Sequence, residues 1–95
     1  MVLGDLHLSL KREYFEAIRN GQKPEEFRLR TDYWRKRLEG RSYRSIVLTL
    51  GYPPAGALER RLTRPWRGYR VTTICHPHFG PDPVEVFAIA VSDQA

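Results

Sequence analysis

Leu6, Leu8 and Leu10 alternate with His7 and Ser9, and this period of two predicts a strand with one buried face. The pattern then changes. In KREYFEAIRN (residues 11–20), Tyr14, Phe15 and Ile18 fall at helical spacing, and Asn20-Gly21 supplies a stop because glycine enters the left-handed region at little cost. From Glu25 to Arg30 the period returns to two. That alternation turns Phe27 and Leu29 towards a core and sets Glu26, Arg28 and Arg30 on the opposite face.

Thr31 is suited to cap a second short helix, TDYWRKRLEG, which Gly40 ends. Tyr43 to Leu50 is rich in β-branched residues and predicts a strand. GYPPAGA (51–57) is loop chemistry. The following LERRLTRPWRG has no clean period, and Leu58 to Leu62 can make a helical turn before Pro65. Gly68–Cys75 and Val84–Val91 predict two more strands, joined by the turn-forming HPHFGPDP. No repeat or domain-separating linker interrupts this order, which describes a single domain over residues 1–95. Helices confined to the first half and later strands free to pair antiparallel define an α+β fold. A small mixed β-barrel with one or two short helices packed against it suits these elements.

Composition narrows the class. A chain of 95 residues has room for one small core, and 12% aromatic content argues against intrinsic disorder. The single Cys75 excludes an internal disulfide framework and suits a reducing compartment. No apolar run approaches the length of a membrane span, and Asp5 and His7 stand where a secretory leader would be apolar. The expectation is a soluble cytoplasmic protein that uses no membrane and no cofactor.

Charge adds more. Of the net +5, the stretch from Arg28 to Arg70 carries twelve basic residues against three acidic ones, a local net of +9. Arginine outnumbers lysine 13 to 3, and arginine suits bidentate phosphate contacts and stacking on rings. Tyr33, Trp34, Tyr43, Trp66 and Tyr69 are interleaved with these arginines. Cations beside rings are the ingredients for gripping a nucleic-acid backbone and stacking its bases. The densest such segment runs from Arg60 to Arg70, and Arg60, Arg61, Arg64, Trp66 and Arg67 are its candidate RNA contacts. The alternative is a solvated basic face over aromatics that close one end of the core.

One motif carries sharper chemistry. Gly21, Lys23, Glu26 and Arg28 spell Gly-x-Lys-x-x-Glu-x-Arg between the first helix and the second strand. A strand and helix leading into this motif resemble the ASCH domain family, over about residues 6–50 and more weakly through Val71–Val91. The resemblance implies a PUA-like β-barrel and recognition of RNA or a nucleotide in a cleft lined by Lys23, Glu26 and Arg28. It also implies an alternative, since some members are amidohydrolases acting on acetylated cytidine and one is described as a ribonuclease. Lys23 matches the motif lysine of the amidohydrolases. Glu26 stands where their catalytic threonine would be, and Glu59 and Glu85 are the candidates for their later glutamate. Lys23 and Glu26 are therefore the candidate catalytic residues.

The residues allow several roles beside that resemblance. Lys23 can serve as a base if burial lowers its pKa, or as a phosphate or carbonyl contact if it stays charged. Glu26 can accept from the amino group of a base, or simply hold Lys23 or Arg28. On a continuous strand Lys23 and Glu26 face opposite ways, and they converge only if Pro24 starts the strand. Cross-strand pairs on a solvated sheet face are the structural alternative.

Cys75-His76-Pro77-His78 offers too few ligands for an ordinary zinc site, and no metal is expected. Cys75 with either histidine makes a weak nucleophilic pair, because neighbours on a strand point apart. These histidines are better suited to the mouth of a cleft. A protein-interaction module with a basic face is the remaining class, with an acidic protein as its partner.

Overall fold

The first strand behaves as its period requires: β1 (Asp5–Leu10) buries Leu6, Leu8 and Leu10 and exposes His7. The computed structural model describes residues 3–92. After β1 come α1 (Arg12–Arg19), β2 (Glu25–Leu29), α2 (Asp32–Leu38), β3 (Ser45–Leu50), β4 (Arg61–Pro65), β5 (Tyr69–Ile74) and β6 (Val84–Ala90). Single 3-10 turns stand at Leu58–Arg60 and Pro77–Phe79.

The strands form two three-stranded sheets, ordered β1-β3-β4 and β2-β6-β5. In the first, β3 lies parallel to β1, with Leu6 opposite Ile46 and Leu8 opposite Leu48. A parallel pair needs a long crossover, and α1, β2 and α2 supply it. In the second, β6 runs antiparallel to both neighbours. Val86, Phe87, Ala88 and Ile89 are all buried, as expected of a central strand covered on both faces. The core gathers the three leucines of β1, Phe15 and Ile18 of α1, Leu38 of α2, Ile46 and Leu48 of β3, and Phe87 and Ile89 of β6.

The α+β class is therefore established, with six strands and two α-helices among the described residues, and three details differ from the sequence expectations. Among the described residues the strand ladders remain two open sheets and do not close into one barrel. Side chains bridge them instead: Arg28 of β2 donates to the Ser9 carbonyl of β1, and Arg64 of β4 donates to the Val91 carbonyl. The helical turn expected over Leu58–Leu62 stops at Arg60, and Arg61–Pro65 becomes β4. β4 has no clean period because it is a half-exposed edge strand, which also tolerates Pro65.

The third difference concerns β2. Glu26 is only 6% exposed, whereas Phe27 and Leu29 are half-buried and lie outside the core cluster. Of the expected outward face Glu26 is buried, and of the expected inward face neither Phe27 nor Leu29 joins the core.

Candidate functional site

A cavity of about 470 Å³ opens where β2 meets α1, α2 and the 3-10 turn at Pro77–Phe79. Lys23, Glu26 and Arg28 all line it. Tyr14 of α1, Phe27 of β2, Trp34 of α2 and Phe79 form ring walls around them.

Local sequence explains how Lys23 arrives there. α1 ends in paired bonds from Gly21 N–H to the Ile18 carbonyl and from Gln22 N–H to the Ala17 carbonyl. This Schellman arrangement needs a left-handed residue, and Gly21 has φ +79°. Lys23 N–H also donates to Ala17, so Lys23 belongs to the turn. Pro24 follows and β2 begins only at Glu25. Freed from strand alternation, the Lys23 ammonium comes within 3.5 Å of Glu26 Oε1 and donates to the Glu25 carbonyl at 2.6 Å.

Glu26 is the one charged residue in the buried set of the described residues. An unpaired carboxylate in that setting would cost several kcal/mol, so its partners matter. Lys23 holds Oε1, and the Arg28 guanidinium holds Oε2 at 2.9 Å. The same terminal nitrogen of Arg28 reaches the Ser9 carbonyl at 2.9 Å. Both cations also lie over rings. Lys23 Nζ is 4.4 Å from the Phe27 centroid and 5.7 Å from Tyr14, and Arg28 Cζ is 5.1 Å from Trp34.

The far rim is aromatic. Tyr14 approaches the rings of His76 and His78 at 6.2 and 6.1 Å, and His78 meets Phe79 edge-on at 5.0 Å. Burial, with the nearby carboxylates of Glu13 and Glu26, raises the Tyr14 hydroxyl above its ordinary pKa and keeps it a neutral donor. The cavity thus combines ring walls, one buried carboxylate and two fixed cations. That set suits a flat ligand with both donor and acceptor edges.

The basic segment lies elsewhere. None of Arg60, Arg61, Arg64, Trp66 and Arg67 lines the cavity. Arg61 donates to the Pro53 and Pro54 carbonyls, Arg64 to Val91 and Arg67 to Ser92, while Arg60 is exposed. Trp66 packs against the core and meets Tyr43 edge-on at 5.1 Å. Glu59 and Glu85 are also outside the cavity; Glu85 pairs with Arg30 at 2.9 Å. Cys75 is exposed. Among the described residues no group of three His, Cys, Asp or Glu could hold a metal ion, and no helix is long and apolar enough to cross a membrane.

Several lining residues were not singled out from sequence as site residues. Tyr14 reads as a core position on a helix and Phe27 as a core residue of a strand, while Trp34 stands out only as one of five rings interleaved with the arginines. Lys11, exposed at the head of α1, also lines the cavity. Its only sequence signal is a cation directly before a helix that precedes the motif.

No protein-family model, curated protein or solved structure matches this chain.

Proposed function

We propose that the chain is an RNA- or nucleotide-binding domain of the ASCH type, and that its cavity receives a nucleobase. The observation that carries this reading is the buried Glu26 carboxylate, held between Lys23 and Arg28 within aromatic walls. A carboxylate offers about four lone-pair positions, so two cation contacts leave it able to accept from an exocyclic amino group. Lys23 and Arg28 in turn offer donors to a ring carbonyl or a phosphate. Phe27, Tyr14 and Trp34 supply faces for stacking, a contribution of about 1–3 kcal/mol per base. In this reading the two sheets are halves of a PUA-like barrel, the protein acts in the cytoplasm, and the Arg60–Arg67 edge gives weaker phosphate contacts.

The hydrolytic alternative gives Lys23 the role of base. Its ammonium is instead tied to Glu26 and to the Glu25 carbonyl, the setting of a fixed cation that binds. Titration with a fluorescent single-stranded RNA and with each ribonucleoside monophosphate tests the proposal. Glu26→Gln and Lys23→Ala, checked for folding by circular dichroism, are expected to weaken binding about tenfold or more, equivalent to the loss of one charged hydrogen bond. Unchanged affinity in both folded variants would sink it. Acetate release from N4-acetylcytidine, abolished by Lys23→Ala, would favour the hydrolase.

A further inference from the structure

The cavity does not end at its ring walls. Arg28 lies over Trp34, Trp34 meets Tyr33 edge-on at 5.1 Å, and the Arg37 guanidinium covers Tyr33 at 3.4 Å. Buried Glu26 is thereby joined through a cation, two rings and a second cation to the outer surface of α2.

That surface has an unbalanced charge. Tyr33, Lys36 and Arg37 stand three and four residues apart, so they share one helical face. Arg41 follows, with its Nε donating to the Lys36 carbonyl at 3.1 Å. Lys36, Arg37 and Arg41 are exposed, and the salt bridges of the described residues leave all three without a carboxylate. Neighbouring arginines differ: Arg35 pairs with Glu39, Arg30 with Glu39 and Glu85, and Arg44 with Asp5. Tyr33 lines the cavity and is also 55% exposed, which leaves it accessible at the cavity's edge.

We infer that α2 is the track of a single-stranded polynucleotide whose one base occupies the cavity, an inference that rests on the nucleobase reading of that cavity. Tyr33 stacks the base next to the bound one, and Lys36, Arg37 and Arg41 neutralise the phosphates that follow. An unpaired strand is required, because a ring reaches a base face only when the base is unstacked. The strand leaves the cavity past α2, whose Tyr33 and Trp34 line it, and away from β4, which contributes no residue to it.

The test uses the full chain with a fluorescent 12-mer of single-stranded RNA, the DNA of the same sequence, and ribonucleoside monophosphates. Each phosphate contact on a single strand contributes about 0.7 to the log–log salt slope, so Lys36→Gln/Arg37→Gln/Arg41→Gln should lower the slope by about 2. Monophosphate affinity should change less than about twofold, the resolution of such titrations. Tyr33→Ala should weaken the 12-mer about tenfold and Tyr33→Phe should not. DNA should show the same loss of slope, since phosphates and ring faces do not depend on the sugar.

An unchanged slope in the α2 variant, or a loss confined to Arg60→Gln/Arg61→Gln/Arg64→Gln, overturns the track. Polyglutamate competing as well as RNA, with no contribution from Tyr33, overturns it in favour of an acidic protein partner. If Glu26→Gln and Lys23→Ala leave 12-mer binding intact while the α2 variant loses it, the track stands and the cavity reading fails.

Discussion

The Lys23 ammonium lies 3.5 Å from the Glu26 carboxylate, although three residues of continuous strand would send the two side chains to opposite faces. The pair closes because the strand has not yet begun at Lys23. Gly21 bends the chain out of α1, Pro24 separates the turn from β2, and only Glu26 follows strand geometry. Placement of a cation over a buried carboxylate therefore depends on a turn.

Gly21→Ala tests that dependence. A Cβ at Gly21 would meet no neighbour, so the cost is conformational, about 1–2 kcal/mol for an L-residue at φ +79°. The expected outcome is a lower urea midpoint with unchanged slope, accompanied by weaker ligand binding as the Lys23 turn shifts. A fully retained midpoint would show that the turn adopts another conformation at no cost.

Glu26→Ala removes the carboxylate and leaves Lys23 and Arg28 facing each other without compensation. Breaking a buried ion pair from one side costs about 3–5 kcal/mol, and partial exposure of both cations favours the lower end. Glu26→Gln keeps the shape and one acceptor, and should cost less. Equilibrium unfolding in urea of both variants measures the difference.

Phe87→Ala addresses the sheet that carries β2. Phe87 is fully buried on the central strand β6, opposite Arg28 in the ladder and edge-on to Tyr69 at 5.1 Å. The cavity left by its ring should cost about 3–5 kcal/mol, a large share of the 5–15 kcal/mol typical of a domain. Thermal unfolding should show a clear fall in Tm.

Acid should destabilise the fold gradually. Arg70 holds the Glu25 carboxyl below its ordinary value of 4.5, chiefly through side-chain hydrogen bonds. Arg35 and Arg30 do the same for Glu39, and Arg44 with Ser45 hold Asp5 below 3.8. A pKa lowered by folding means that the unfolded chain binds more protons in this window. The stabilisation is present above about pH 4.5 and is lost as the pH falls through the folded values. These carboxylates are half-buried and their partners Arg35, Arg44 and Arg70 are exposed, so the loss should be shallow and reduced by salt. Tm measured from about pH 7 to about pH 3 at low and high salt checks both features, and Arg70→Gln should remove the part due to Glu25.

Local patterns alone determined much of this protein. Alternating leucines made β1, helical spacing of Phe15 and Ile18 made α1, and Thr31 capped α2 by accepting from Trp34 N–H at 3.4 Å. The strands β3, β5 and β6 also follow from runs of β-branched and aromatic residues. The motif itself was legible, because its glycine and proline specify a turn whatever surrounds them.

Tertiary structure decided which face of β2 is covered, and periodicity carries no such information. Alternation says that Glu26 and Phe27 differ, but the covering elements come from distant parts of the chain: β6 pairs Ile89 with Glu26, and β1 offers the Ser9 carbonyl to Arg28. With those partners a carboxylate and a guanidinium can be buried together, and Phe27 can turn its ring to the cavity. The arginines were equally illegible, since a sequence counts charges without their distances. Folding ties Arg30, Arg35, Arg44 and Arg70 to carboxylates and leaves Lys36 and Arg37 on the helix beside the cavity, and Arg41 just beyond it, without one. Periodicity reports forces between neighbours in the chain, whereas the site is made by groups that meet only after the two sheets pack.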